Sequence, residues 1–85
     1  MFEIYSKPGC SFCEQAKQLL DSKGLPYNEH ILDVGQVKEP GVSYYTVEQL
    51  HKLVPGARTV PQIFESVSGT LELIGGFDAL KKYLS

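Results

Sequence analysis

Cys10 and Cys13 are the only cysteines of the chain, and they stand three residues apart where an alternating run gives way to a helical pattern. Phe2-Glu3-Ile4-Tyr5 alternates apolar and polar residues and then meets Pro8-Gly9, which reads as a strand ending in a turn. From Phe12 onward, Phe12, Cys13, Ala16, Leu19 and Leu20 fall at the spacing of one buried helix face, and Gly24 and Pro26 stop the pattern. With Cys10 at the N-cap, its sulfur lies where the first-turn N–H groups of Phe12 and Cys13 point, and the helix dipole adds partial positive charge. An ordinary thiol has a pKa near ~8.5, and such settings lower it to roughly 3.5–7.5. The spacing therefore predicts two roles. Cys10 attacks a disulfide as thiolate, and Cys13, one turn deeper on the apolar face, resolves the mixed disulfide.

Three plainer readings compete with this one. A purely structural disulfide gains little, because closing so short a loop contributes roughly 2 kcal/mol against about 3 for a fifteen-residue loop. Half of a zinc site would need two more ligands at close spacing, and the remaining candidates, His30 and His51, are far apart. Ser11-x-x-Glu14 is also a capping-box pattern, which would make Ser11 the N-cap while leaving the redox chemistry open.

With 85 residues the chain is expected to form one domain over residues 1–85, with one modest core. A net charge of −2 with scattered Lys and Arg gives no basic stripe for nucleic acid and no cationic amphipathic helix for a membrane. Small molecules and protein cysteines are the expected partners, and a monomer is the expected state. The first residues enter a strand at once, without the features of a signal peptide, and no apolar run approaches a membrane span. A cytoplasmic chain is therefore expected. In that compartment a lone Cys-x-x-Cys points to catalysis, because thiols there are kept reduced.

Pro26 through Leu32 reads as a second strand, and strand, helix and strand in succession form a parallel unit. His30 is expected to be a partly exposed strand residue without a partner. Asp33 to Tyr45, with Gly35, Pro40 and Gly41 and no clear period, reads as a loop. Thr46-x-x-Gln49 resembles a capping box, after which Val47, Leu50, Leu53 and Val54 repeat at helical spacing until Pro55-Gly56. His51 is expected on the solvated face. Gln62-Ile63-Phe64-Glu65 and Leu71-Glu72-Leu73-Ile74 read as a hairpin turning over Ser66 to Gly69. Gly75-Gly76 closes it, and Phe77, Leu80, Tyr83 and Leu84 carry the inner face of a last helix. Asp78 in its first turn and Lys81 and Lys82 near its end complement the helix dipole. The order is β-α-β-α-β-β-α.

Cys10-Ser11-Phe12-Cys13, Arg58-Thr59-Val60-Pro61-Gln62-Ile63-Phe64 and Gly75-Gly76-Phe77-Asp78 together resemble the glutaredoxin family over nearly the whole chain. The resemblance implies an α/β, thioredoxin-like fold with a four-stranded mixed sheet flanked by three helices. It also implies a cis Val60–Pro61 bond and a glutathione-dependent oxidoreductase that reduces protein disulfides and glutathionylated thiols. Glutathione is then a co-substrate, with no bound cofactor and no metal. The residues implied to meet it are Lys7, Phe12, Arg58, Thr59, Val60, Pro61, Gly76, Phe77 and Asp78. Lys7 and Arg58 would face the glycyl carboxylate, with Gln49 a looser match. Val60 would pair with the backbone of the substrate. The amides of Gly76 and Phe77 would take the γ-glutamyl carboxylate. Asp78 would take the ammonium group in a sheltered contact worth about 1.5–3 kcal/mol.

Ser11-Phe12 stands where the family often has Pro-Tyr, and Phe77 where it often has a small residue. The likeness to small members that reduce ribonucleotide reductase makes that enzyme an expected protein partner. Two other functions follow from related likenesses. One is a [2Fe–2S] carrier that ligates its cluster through Cys10 and glutathione. The other is a thioredoxin-type protein reduced by a flavoprotein reductase, although the tryptophan usual beside that motif is missing.

Overall fold

The computed structural model describes residues 1–85. Five strands, β1 (Phe2–Ser6), β2 (Tyr27–Leu32), β3 (Ser43–Tyr45), β4 (Gln62–Val67) and β5 (Thr70–Gly75), form one sheet in the order β3-β2-β1-β4-β5. β1 and β2 run parallel, as do β2 and β3, while β4 is antiparallel to both β1 and β5. Helix α1 spans Ser11–Ser22, α2 Val47–Leu53 and α3 Phe77–Leu84.

One sheet face carries the aliphatic core. The alternation in β1 turns Phe2 and Ile4 to the same side, where they meet Ile63 of β4, Ala16 and Leu20 of α1 and Leu80 of α3. Most of these side chains are fully buried, so truncating Leu20 to alanine is expected to cost about 2–5 kcal/mol. The opposite face is aromatic and polar. Tyr5 stacks on His30 at 4.6 Å and meets Tyr45 and Phe64 edge-on at 5.1 and 5.5 Å.

The expected element order holds, with one strand added. Ser43–Tyr45 lies inside the stretch read as a loop, and three residues are too few to show alternation. What makes them a strand is their pairing with His30, Ile31 and Leu32. His30 also departs from expectation, because it does have partners. Its Nε2 lies 2.8 Å from Glu3 Oε1 and its Nδ1 lies 2.7 Å from Ser43 Oγ. Both partners reach it across the sheet from neighbouring strands, at positions far from it in sequence.

Local chemistry accounts for the remaining boundaries. Thr46 and Gln49 form the complete capping box at the start of α2, each side chain bonding the other's backbone N–H at 3.1 and 2.9 Å. The hairpin turn is tighter than expected. β4 runs on to Val67, so only Ser68 and Gly69 turn, both with positive φ, as a two-residue hairpin loop of this twist requires. Between β5 and α3 the chain needs Gly75, since φ is +125° there and a Cβ would sit 2.9 Å from that of Ala79.

Candidate active site

β1 ends at Ser6, the Lys7-Pro8-Gly9 turn follows, and Cys10 becomes the N-cap of α1. Its Sγ accepts a hydrogen bond from the Cys13 backbone N–H at 3.2 Å. Of the two donors expected, Cys13 alone makes this bond. Ser11 is not the cap. Its hydroxyl instead accepts from Gln15 Nε2 at 3.2 Å, and Glu14 pairs with Lys17. Cys10 and Cys13 are joined as a disulfide, their Cα atoms 5.2 Å apart. Cys10 retains 8% exposure and Cys13 only 1%, so both are buried and Cys10 is the nearer to solvent.

The Val60–Pro61 peptide bond is cis, and the Val60 carbonyl lies 3.7 Å from Cys10 Sγ. Two clefts meet at Thr59 and Val60, beside this sulfur. The first, about 400 Å³, is lined by Phe12 on one side and by Gly76, Phe77 and Asp78 on the other, with Pro61 at its floor. The second, about 180 Å³, takes Lys7 and Arg58 at its rim and Tyr45, Leu50 and His51 in its wall. The sequence-derived site residues thus divide into two groups on either side of the sulfur. Gln49 joins neither cleft. It lines a depression under α2 with Tyr5 and His30 and is spent on the capping box.

In the first cleft, α3 begins at Gly76 with no side chain capping its N-terminus. The Phe12 and Phe77 rings face each other at 6.2 Å, tilted by 33°, and Lys81 Nζ sits 4.8 Å over the Phe77 ring. Asp78 is not sheltered as expected. Its side chain is 89% exposed and pairs with Lys81 at 3.3 Å, because it lies on the outer side of the first helical turn. Around the second cleft three main-chain carbonyls are tied by side chains. The Tyr45 hydroxyl donates to Ser6 O at 2.7 Å, His51 Nε2 lies 2.9 Å from Ala57 O, and Gln62 Nε2 donates to Thr59 O at 2.8 Å. Burial first, and then the nearby Tyr5, push the Tyr45 phenol up to about 12, so it remains a donor wherever a thiol titrates.

Behind the Lys7-Pro8-Gly9 turn lies a third depression with its own charged cluster. Lys17 bridges Glu14 and Glu29 at 2.8 and 3.0 Å, and Glu29 also accepts from the Ser6 hydroxyl at 2.8 Å. Burial pulls the Lys17 ammonium down, but its bonds to the two carboxylates outweigh this and hold it above the usual lysine value. No group of three or more His, Cys, Asp and Glu side chains gathers into a metal-binding arrangement.

The Glutaredoxin family model matches residues 2–71, which include the cysteine pair, the cis-proline segment and strands β1 to β4. The chain belongs to the glutaredoxin family. It is 36% identical over 88 residues to glutaredoxin 3 of Escherichia coli, covering 94% of this chain and 95% of that one. It is 43% identical over 84 residues to the hybrid peroxiredoxin hyPrx5 of Haemophilus influenzae, covering 96% of this chain and 28% of that protein.

Among solved structures, the fold is similar to glutaredoxin 1 from Francisella tularensis complexed with cacodylate. That likeness has a TM-score of 0.63 and 24% identity, over 98% of this chain and 90% of that one. A buckwheat glutaredoxin–glutathione complex is similar at a TM-score of 0.59 and 24% identity, over 98% and 66% of the two chains. The thioredoxin-like fold expected from the sequence is therefore present, with five strands instead of four. As a glutaredoxin carrying a Cys-x-x-Cys pair at disulfide distance, the chain is a thiol–disulfide oxidoreductase. The side chains that tie the second cleft, Tyr45, His51 and Gln62, were not among the expected site residues. They act through hydrogen bonds to main-chain carbonyls of other elements, which leave no motif in the sequence.

Proposed function

We propose that this glutaredoxin takes electrons from glutathione and reduces protein disulfides and glutathionylated thiols in a reducing compartment such as the cytoplasm. The observation that carries the reading is the asymmetry of the two sulfurs. Cys10 is an N-cap that accepts an N–H bond and lies beside Val60, where two clefts meet, while Cys13 is the more deeply buried.

The Cys10 thiolate attacks one sulfur of the substrate disulfide, whose S–S bond breaks and whose other sulfur leaves with the electron pair and gains a proton from water. Cys13, having lost its proton, attacks Cys10 Sγ. The Cys10–Cys13 bond forms and the second substrate thiolate departs. A glutathione thiolate then opens that bond at Cys10, returning Cys13 as a thiolate. A second glutathione attacks the glutathionyl sulfur, releasing oxidised glutathione and the Cys10 thiolate. Two glutathione thiols lose two electrons and two protons, and the substrate disulfide gains them.

Glutathione fits across the two clefts with its sulfur at Cys10. Its glycyl carboxylate faces Lys7 and Arg58, and its cysteinyl backbone runs beside Val60. The γ-glutamyl carboxylate meets the uncapped start of α3 at Gly76 and Phe77, with its ammonium near Asp78. Ribonucleotide reductase is the protein disulfide to test first. The hybrid peroxiredoxin relative makes an oxidised peroxiredoxin the second.

A coupled assay with a glutathionylated peptide tests the reading, comparing glutathione plus glutathione reductase against thioredoxin reductase as electron source. Turnover with glutathione alone is expected. Turnover with thioredoxin reductase alone would make this a thioredoxin-type protein. No turnover, with a brown chromophore on anaerobic purification, would make it a glutathione-ligated cluster carrier.

A further inference from the structure

Lys7 and Arg58, the two cations of the smaller cleft, sit on different segments, and each directly follows a residue whose carbonyl is tied by a side chain from elsewhere. The Tyr45 hydroxyl from β3 holds Ser6 O at 2.7 Å, and His51 of α2 holds Ala57 O at 2.9 Å. Tyr45 and His51 also line the cleft that the cations rim. We infer that Tyr45 and His51 are positioning residues that set Lys7 and Arg58 for a carboxylate-bearing thiol substrate.

A turn residue such as Lys7 and a loop residue such as Arg58 have no ladder hydrogen bonds of their own to fix their Cα positions. A long side chain on a free backbone loses much of its electrostatic value to entropy, whereas a fixed backbone leaves only the side-chain rotamers to order. The tie at Ser6 is buried, and Tyr45 is itself 4% exposed. The hydroxyl is protonated across neutral pH, and burial, with a lesser contribution from Tyr5, extends this into the alkaline range. The His51 tie crosses from helix to loop in a single bond. A ring N–H at Nε2 can serve it whether or not the other nitrogen carries a proton. On the far flank of Arg58, Gln62 holds Thr59 O at 2.8 Å, so the segment is clamped on both sides of the cation.

The inference rests on the glutathione reading above, and the experiment separates the two. In a Cys13→Ser background, the rate of Cys10 glutathionylation is measured with oxidised glutathione and with its glycyl diethyl ester, which lacks the two glycyl carboxylates and keeps the γ-glutamyl ones. The same thiolate attacks both reagents, so the acid-to-ester rate ratio reads the cleft and cancels any change in Cys10 reactivity. A ratio of about ten is expected in this background. His51→Ala and Tyr45→Phe should each lower the ratio about threefold or more, and His51→Gln, which keeps an N–H donor, should restore it. Thermal melts run in parallel ensure that every variant is folded at the assay temperature. A ratio lowered by Arg58→Gln but untouched by His51→Ala and Tyr45→Phe would overturn the inference and leave the glutathione reading standing. A ratio near one before any of these substitutions would overturn the carboxylate placement itself.

Discussion

The two clefts beside Cys10 are built by different means. On the Lys7–Arg58 side, charge is carried on main-chain segments whose carbonyls are held by Tyr45, His51 and Gln62. On the Phe12–Phe77 side, the charged group, Asp78, stands in solvent and shares itself with Lys81, and two facing rings and an uncapped helix start give the cleft its shape. Position in sequence made Asp78 and Arg58 look like equivalent contacts to the two ends of one ligand. Both side chains are exposed, but Asp78 is already paired with Lys81, whereas Arg58 stands on a segment held at Ala57 and Thr59. A contact that shares an exposed ion pair is worth about 0.2–1 kcal/mol, whereas one to a charge on a held segment approaches the 1.5–3 kcal/mol range of charge-assisted hydrogen bonds.

The largest effects should come from the sulfurs that both clefts serve. Cys10→Ser is expected to abolish reduction of both glutathione mixed disulfides and protein disulfides. Cys13→Ser should keep much of the former, since a second glutathione can resolve Cys10, and lose the latter. Equal loss of both activities in the two variants would mean that the roles are misassigned. Thiolate absorbance should also rise at lower pH in the Cys13→Ser protein than in Cys10→Ser, because Cys10 takes the Cys13 N–H bond at the start of α1.

Next in size is Arg58→Gln, expected to lower kcat/KM with glutathione about tenfold, since ~1.4 kcal/mol corresponds to that factor. Dithiothreitol, which has no carboxylate, should serve as electron donor as well as before. An equal loss with both thiols would make Arg58 a structural residue and erase the contrast between the clefts.

Asp78→Asn should cost less, about two- to fivefold with glutathione, as suits an exposed, salt-sensitive contact. Raising the ionic strength should shrink the difference further. A tenfold or larger loss would show that substrate closes over Asp78, and the two clefts would then be equals once occupied.

The smallest effect is on stability. Tyr45 is raised from 10.0 in the unfolded chain to about 12 in the folded one, so its contribution is complete below pH 10 and falls away as pH rises toward 12. Denaturant unfolding followed across that range should show a shallower alkaline decline in Tyr45→Phe than in the unaltered protein. Parallel declines would place the tie outside the stability of the cleft.

The readable parts of this molecule are those governed by neighbours in sequence. The face of α1 follows from the spacing of Cys13, Ala16 and Leu20, the start of α2 from Thr46 and Gln49, and the hairpin from alternation around Ser68-Gly69. The cis geometry at Val60–Pro61 came from family likeness, since a dipeptide does not reveal its isomer. Ser43–Tyr45, the partners of His30 and the ties from Tyr45 and His51 were hidden for a shared reason. Each depends on the register in which distant segments meet, Glu3 and Ser43 beside His30 or Ser6 beside Tyr45, and no local pattern encodes that register. The shelter expected at Asp78 is absent, because helical spacing puts this residue in the first turn of α3 without fixing how much water its carboxylate keeps.

The depth difference between the two sulfurs also has a consequence for traffic. A reagent approaching from solvent can reach Cys10, at 8% exposure, but finds Cys13, at 1%, shut behind it. Encounters are therefore expected to begin at the outer sulfur, and the inner one should be the slower of the two to meet an oxidant such as a peroxide. Under the proposed mechanism, a partner protein would stay fastened to the outer sulfur for as long as the inner one takes to arrive. Substituting the inner sulfur while leaving the outer one intact should therefore turn a passing carrier into a hook that retains its natural clients for identification.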